Sequence, residues 1–439
     1  MSIDIAYYEK VINDMPAHRA FGTVSEIIGV SVHGHDPGTA LGEMCEIRPE
    51  GLSQAITAEV VGYMKGKVLL MPLDNPDGIC PGSKIFPLGR KASVGVGQEL
   101  LGRVMDGLGN PIDGKAPLNP TERYPIYAEP INPMKRARIT EPMDLGIRAV
   151  NGLFTCGKGQ RMGIFSGSGV GKSVLLGMIA RNTQADVNVI GLIGERGREV
   201  REFIENNLGE EGLKRSVVVV ATSDSHPLIR LRAAYAATSV AEYFRNQGSD
   251  VLLMVDSLTR FAMAQREIGL LLGEPPTSKG YTPSVFSILP RLLERSGNID
   301  GNGSITGLYT VLVEGDDFNE PIADCTRSIL DGHINLSRDL AAKNHYPAVD
   351  ILRSISRVMI DVTDKEQQRC AGELMNIIAT YRKAEDLINI GAYVAGSNRD
   401  IDYAISMIDR IDLFLKQDID ETVTMDESRA ALFQLFDEG

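Results

Sequence analysis

Cysteine, long apolar runs and excess positive charge are all scarce in this sequence, and each shortage removes a class of protein. The five cysteines, Cys45, Cys80, Cys156, Cys325 and Cys370, are odd in number and far apart, and no C-x-x-C pair occurs. No zinc or redox motif follows from them, and a reducing compartment fits. Nothing approaches the roughly 18 consecutive apolar residues that a membrane-spanning helix needs. The first ten residues place acids before any apolar run develops, so no secretory leader is expected. Lys and Arg total 45 against 58 Asp and Glu, a formal net charge of −13. A binder that works by counterion release from nucleic acid carries the opposite sign, so no nucleic-acid partner is expected, unless a local basic channel lies beneath the bulk charge. There is no internal repeat and no low-complexity tract. The expected location is cytosolic, with any membrane contact peripheral.

What is present is an ordinary folded composition: 439 residues, 43% hydrophobic and 23% charged. At about 150 residues per domain this suggests two to four domains. Ile5, Tyr8, Ile12 and Met15 recur at helical spacing before Pro16, which predicts a short amphipathic helix over 1–20 that either rests on its own domain or docks on a partner. From Phe21 to about Ala92 the pattern is short β runs at 22–32, 44–47, 56–63, 67–71 and 84–87, punctuated by turns such as Asp36-Pro-Gly38, which predicts a small closed barrel. Residues 93–148 are rich in Gly and Pro and read as an ordered connector. Apolar runs at 162–165, 187–193, 216–221, 251–255 and 305–313 then alternate with helical stretches such as 172–181 and 235–245, the signature of a mainly parallel sheet covered on both faces. From about Asp364 strands cease, and Ile401, Ala404, Ile405, Ile408 and Ile411 trace a helical face, so a helical domain is expected over 364–439.

The central signal is Ser166-Gly-Ser-Gly-Val-Gly-Lys-Ser173, which follows the strand 161–165 and opens the helix that continues through Val174. Gly167, Ser168, Gly169, Val170 and Gly171 form a loop whose backbone N–H groups can turn toward a phosphate. Lys172 then places an ammonium on the β- and γ-phosphates, and Ser173 supplies a hydroxyl for Mg²⁺. The usual pattern begins with Gly, where this chain has Ser166, and no phosphate donor is lost by the change. A nucleotide site that does chemistry also needs an acid for the metal and a base for water. Asp256 ends the apolar strand 251–256, where it can hold Mg²⁺ or cap the next helix. Glu195 lies at the carboxyl edge of the run 187–193, where it can orient the attacking water or pair with a nearby arginine. His33 and His35 lack further metal ligands and read as a solvated turn. Cys156 is assigned no chemistry, and the acidic stretch 416–421 reads as solvated surface.

Gly157 to Phe165, the loop through Ser173, Gly194 to Glu199, Leu253 to Arg260, Gly273 to Tyr281 and Ile329 to His333 together resemble the type III export ATPases, most of all their flagellum-specific branch. These are relatives of the catalytic β subunit of rotary ATP synthases. The resemblance runs from about Phe21 to the helical C-terminus. It implies an α/β fold with an N-terminal β-barrel (21–92), a RecA-like P-loop NTPase core with its leading connector (93–363) and a C-terminal helical domain (364–439).

It also implies a Mg²⁺-dependent ATPase, cycling ATP to ADP, that works as a homohexameric ring energising protein export. In that ring Arg357 would reach the nucleotide of the neighbouring subunit, unless it is instead an ion-pair partner of Asp350 or Asp361. Tyr346 and Tyr393 resemble the aromatic positions around adenine, and Arg196 and Tyr281 further site residues. Implied partners are a regulatory stator-like protein, for which 1–20 is the candidate contact, a central stalk-like protein, the export gate and chaperone–substrate complexes at the inner face of the cytoplasmic membrane. A virulence-type secretion ATPase shares this chemistry. A rotary β subunit would carry an Asp-Glu-Leu-Ser-Glu-Glu-Asp stretch that does not occur after Asp364. An RNA-translocating hexamer would need a basic, aromatic RNA domain that 21–92 does not supply. A non-catalytic scaffold would have lost Lys172 or Glu195.

Overall fold

The computed structural model describes residues 20–49, 55–301, 303–313, 315 and 317–437. The helix expected over 1–20 lies, apart from Ala20, outside them. The chain divides into two compact units between Ala92 and Ser93.

In the first unit, β1 (Gly22–Ile28), β2 (Ser31–His35), β3 (Glu43–Arg48), β4 (Ile56–Met64), β5 (Lys67–Pro72) and β6 (Lys84–Lys91) close a barrel in the order β1-β2-β5-β4-β3-β6. The run 22–32 is two strands, because the chain turns at Gly29 and Val30. Val24, Val32, Cys45, Ile47, Ala58, Val60, Val68, Leu70 and Ile85 fill the interior. Alternate residues point inward, as period-2 strands require. His33 is not in a solvated turn. It is a strand residue, buried, with Nε2 3.0 Å from Ser31 Oγ and Nδ1 3.5 Å from Glu26.

The second unit is built on β7 (Arg103–Asp106), β8 (Arg161–Ser166), β9 (Val187–Glu195), β10 (Ser216–Thr222), β11 (Asp250–Asp256), β12 (Ser304–Leu312), β13 (Gly332–Leu336) and β14 (Ile355–Ser356). Their order is β14-β13-β8-β12-β11-β9-β10-β7. All neighbours on this path are parallel except β13 and β14. The central strands are buried almost throughout, which is why they read as unbroken apolar runs. Helices α1 (Lys172–Asn182), α2 (Pro227–Asn246) and α3 (Leu258–Leu271) follow β8, β10 and β11.

The stretch 93–148 is more than a connector. Ser93–Val96 pairs with Glu122–Pro125, and β7 adds an edge strand to the main sheet, Val217 beside Arg103. Two carboxylates organise β7. Asp106 accepts the N–H groups of Leu108 (2.9 Å) and Asn110 (2.8 Å), folding the chain back, and Asp113 receives Arg103 Nε at 2.7 Å.

The C-terminal region is α4 (Lys365–Asn389), α5 (Arg399–Leu415) and α6 (Met425–Asp437). Asp364 caps α4 by accepting the Gln367 N–H at 2.8 Å, and Asn398 caps α5. The buried stripe of α5 runs through Ala404, Met407, Ile411 and Phe414, while Ile405 is 37% exposed. The expected face was therefore rotated: Ala404 and Ile411 belong to it and Ile405 does not. Leu374, Ile378, Met407, Phe414 and Leu432 share one apolar cluster with Val150, Leu153, Leu175 and Leu176. The helices are thus packed on the core of the parallel-sheet region rather than around a core of their own.

Candidate active site

The strand–loop–helix signal folds as expected. β8 ends at Ser166, the glycine loop follows, and α1 begins at Lys172 with Gly171 as its left-handed N-cap at φ 89°. No side chain caps α1, so its first N–H groups are left for an anion. A Cβ on Gly171 would have to adopt that φ and would sit 3.3 Å from the Tyr346 ring.

Three strand ends bring the charged groups together. Lys172 Nζ pairs closely with Asp256 Oδ1 at the end of β11 and lies 3.6 Å from Glu195 Oε1 at the end of β9. Burial opposes the ammonium charge, but the two carboxylates outweigh it and raise the Lys172 pKa. Thr310 Oγ1 donates to the same Asp256 oxygen at 2.6 Å. Burial, then the Asp256 charge, push the Glu195 carboxyl up to about 7 despite the pull of Lys172. Glu195 is aimed by a bulge: the β9–β10 register breaks between Ile193 and Glu195, and Gly194 takes φ 73°. A Cβ at Gly194 would stand 2.7 Å from Arg260 Cβ, so only glycine lets the strand end approach α3.

Two cavities flank the glycine loop and share Gly169, Gly171 and Val174. One, of about 740 Å³, is charged and lined by Lys172, Ser173, Glu195, Arg196, Glu199 and Arg260 among others. The other, of about 570 Å³, is the more apolar of the two and lined by Val174, Met178, Tyr346, Pro347, Gln417 and Ile419 among others. A charged cleft and an apolar pocket joined at a phosphate loop match the two ends of a nucleoside triphosphate.

Of the remaining expected residues, Ser168 and Gly169 stand exposed at the loop tip, while Gly167 and Val170 are buried beneath it. Arg196 extends from the cleft wall, its side chain 76% exposed and bonded to Glu199 at 2.9 Å, so Glu195 is not the partner of its neighbouring arginine. Arg357 is exposed just after β14 and lines neither cavity. It forms no side-chain bond among the described residues. Asp350 is taken by Arg382 at 3.1 Å and by Arg353, which removes the alternative of an Arg357–Asp350 pair.

Tyr393 is not at the pocket. Its hydroxyl donates to Asn398 O (3.0 Å) and Asp402 Oδ1 (2.9 Å), in the turn between α4 and α5. Tyr281 is buried beside Phe286, outside both cavities. Of the stretch 416–421, residues 416–419 are a wall of the second cavity rather than plain surface. The charged residues of this cleft that were missed as site residues are Glu199, Arg260 and Arg338. The buried Arg260 Nε has no hydrogen-bond partner, and the sequence signal for Arg260 was its place in the stretch Leu253 to Arg260, four residues after a strand-end carboxylate.

No cluster of three or more His, Cys, Asp or Glu side chains able to hold a metal occurs among the described residues. One carboxylate, Asp256, whose two hydrogen bonds both fall on Oδ1, and one exposed hydroxyl, Ser173, fit Mg²⁺ held jointly with substrate phosphates rather than in a protein cage.

A parallel sheet that presents a glycine loop, its lysine and two strand-end carboxylates to one cleft defines a P-loop nucleoside triphosphatase. Residues 146–356 match the ATP synthase alpha/beta family, nucleotide-binding domain, and residues 363–434 match the T3SS EscN ATPase C-terminal domain. The chain is 54% identical to the flagellum-specific ATP synthase of Bacillus subtilis, covering 95% of this chain and 96% of that one. It is 49% identical to the type 3 secretion system ATPase of Xanthomonas euvesicatoria, covering 98% and 97%. Among solved structures it resembles the assembled ATPase EscN in complex with its central stalk EscO, from the enteropathogenic E. coli type III secretion system. That match has a TM-score of 0.87 at 44% identity, covering 94% of this chain and 99% of that one. The chain belongs to the flagellar and type III secretion ATPases of the ATP synthase alpha/beta family.

Proposed function

We propose that this chain is the ATPase of a flagellar type III export apparatus, hydrolysing ATP in a ring of identical subunits. The observation that carries the reading is the convergence of Lys172, Glu195 and Asp256 on one glycine loop, with Glu195 3.6 Å from the ammonium. The loop N–H groups of 167–174 and Lys172 bind the phosphates. Ser173 and Asp256 would hold Mg²⁺, which would supply neutralisation of the charge on the substrate's phosphates. Glu195 orients a water for in-line attack on the γ-phosphorus and draws its proton as the bond from that phosphorus to the bridging oxygen breaks and ADP leaves, while Arg196 and Arg260 add positive charge along the cleft. Tyr346 and Ile419 flank the base. Arg357, exposed and uncommitted in its own subunit, is the group a neighbour would receive at its γ-phosphate.

The assembled state and the central stalk described for EscN support a ring of this chain, most simply a hexamer, around a stalk-like partner. A stator-like regulator, the export gate and chaperone–substrate complexes complete the proposed surroundings, at the inner face of the cytoplasmic membrane. No helix of the described residues is long and apolar enough to cross a membrane. Flagellar export is preferred to virulence-type secretion because identity is 54% to the flagellar relative and 49% to the secretion relative. The test is Glu195→Gln in cells and in the purified ring. Loss of both ATP hydrolysis and filament growth supports the reading, and hydrolysis at the parental rate removes the mechanism.

A further inference from the structure

The wall of the apolar pocket that faces Tyr346 comes from the end of α5, the polar segment 416–419. Within it Lys416, Asp418 and Ile419 are exposed, but Gln417 is only 4% exposed. The backbone N–H of Gln417 and both ends of its side-chain amide are hydrogen-bonded. Its backbone N–H donates to Tyr346 O at 3.0 Å. Nε2 donates to Gly146 O at 2.9 Å and Glu421 O at 3.0 Å, and Oε1 accepts the Arg148 N–H at 2.8 Å. Arg148 reinforces the clasp by donating Nη1 to Lys416 O at 2.8 Å and pairing with the Glu421 carboxylate. One buried amide therefore locks three segments together: the Tyr346 loop, the start of the nucleotide-binding core at 146–148, and the end of α5. Fully satisfied buried networks hold their members in one arrangement.

We propose that Gln417 is a positioning residue for nucleotide binding. It sets the distance between the Tyr346 ring and Ile419, so that the pocket stays the width of a flat base, and it ties the C-terminal helices to whether that base is present. This rests on the reading of the apolar pocket as the base-binding half of the nucleotide site. Gln417 touches neither Lys172, Glu195 nor Asp256, so its loss acts on ligands that carry a base and spares the bond-breaking step.

The experiment compares the full-length wild-type ring with Gln417→Leu. It measures ATP KM and kcat, ADP binding, and inhibition by inorganic tripolyphosphate, which has the phosphates and no base. The expected result is an ATP KM and an ADP Kd raised about tenfold, a kcat within about twofold, and an unchanged tripolyphosphate inhibition constant. If tripolyphosphate and ATP weaken together, or if melting falls while KM stays, Gln417 is only a buttress and the proposal is overturned. Gln417→Asn keeps the amide but is too short to reach Arg148 and Gly146 at once, and it must give the same split if the leucine variant does not fold. Wild-type protein that neither binds nor hydrolyses ATP would instead overturn the nucleotide reading beneath it.

Discussion

To act as the proposed base Glu195 has to be ionised, yet its surroundings favour the protonated form, and that conflict has measurable consequences. Burial and Asp256 lift its carboxyl to about 7. In the free enzyme kcat/KM should therefore rise about tenfold per pH unit up to about pH 7 and then level off, a limb absent from Glu195→Gln, whose residual rate is lower by a factor of about 10² or more. The same shift acts on stability with a defined sign. A folded-state pKa above the ordinary 4.5 means that the folded protein holds the proton more tightly, so stability is lost as pH climbs from 4.5 to about 7. Glu195→Gln escapes that loss. It should melt no lower than wild type at pH 4.5, with an advantage that opens toward pH 7 and reaches at most about 3 kcal/mol, as thermal melting across pH would show. Lys172→Ala points the other way, because it strands the Asp256 carboxylate in a buried site beside Thr310. It should abolish hydrolysis and also cost about 3 kcal/mol near neutral pH in denaturant titration, the penalty of removing one partner of a buried pair.

At the scale of elements, the glycine loop and the Gly194 bulge show what backbone geometry contributes. Gly171→Ala would force a side chain into φ 89° and against the Tyr346 ring at 3.3 Å. It should cost about 1–3 kcal/mol in stability and weaken ATP binding, read by melting with and without nucleotide. The loop, Lys172, Asp256 and Glu195 were legible in the sequence because the signal is local: an apolar strand, a turn and a helix within about fifteen residues, repeated at three strand ends. β7 was not. Its four residues, Arg103–Asp106, are flanked by glycines and Pro111, and the partner that makes them a strand is β10, more than a hundred residues away. Tyr393 failed for a related reason. An aromatic ring near a helix end suits a base, but whether it faces the pocket depends on how α4 and α5 turn, and in this chain Asp402 and Asn398 hold it elsewhere. The wall that does face Tyr346 is Lys416-Gln-Asp-Ile419, a polar stretch with no periodic pattern to announce it.

Across the whole molecule, the cleft of one subunit gathers the glycine loop, Glu195 and Asp256, whereas Arg357 stands exposed beyond β14 and outside both cavities. A cation there serves catalysis only if another copy brings its own cleft to it. Arg357→Ala should then lower kcat by about 10³ or more while leaving ATP binding near normal, since such an arginine acts on charge that develops during transfer. If the two halves of the site lie on different chains, as proposed, the defect should be complementable. Arg357→Ala subunits keep an intact cleft and lack the finger, and Lys172→Ala subunits keep the finger and lack a working cleft. Mixed before assembly, the two inactive proteins should regain a fraction of wild-type activity, highest near equal ratio, at interfaces where an intact cleft meets an intact finger. Specific activity of the wild type should likewise fall on dilution as rings dissociate. Mixtures that stay inactive at every ratio while co-assembling would show that Arg357 acts within its own subunit, and the exposed guanidinium would need another role.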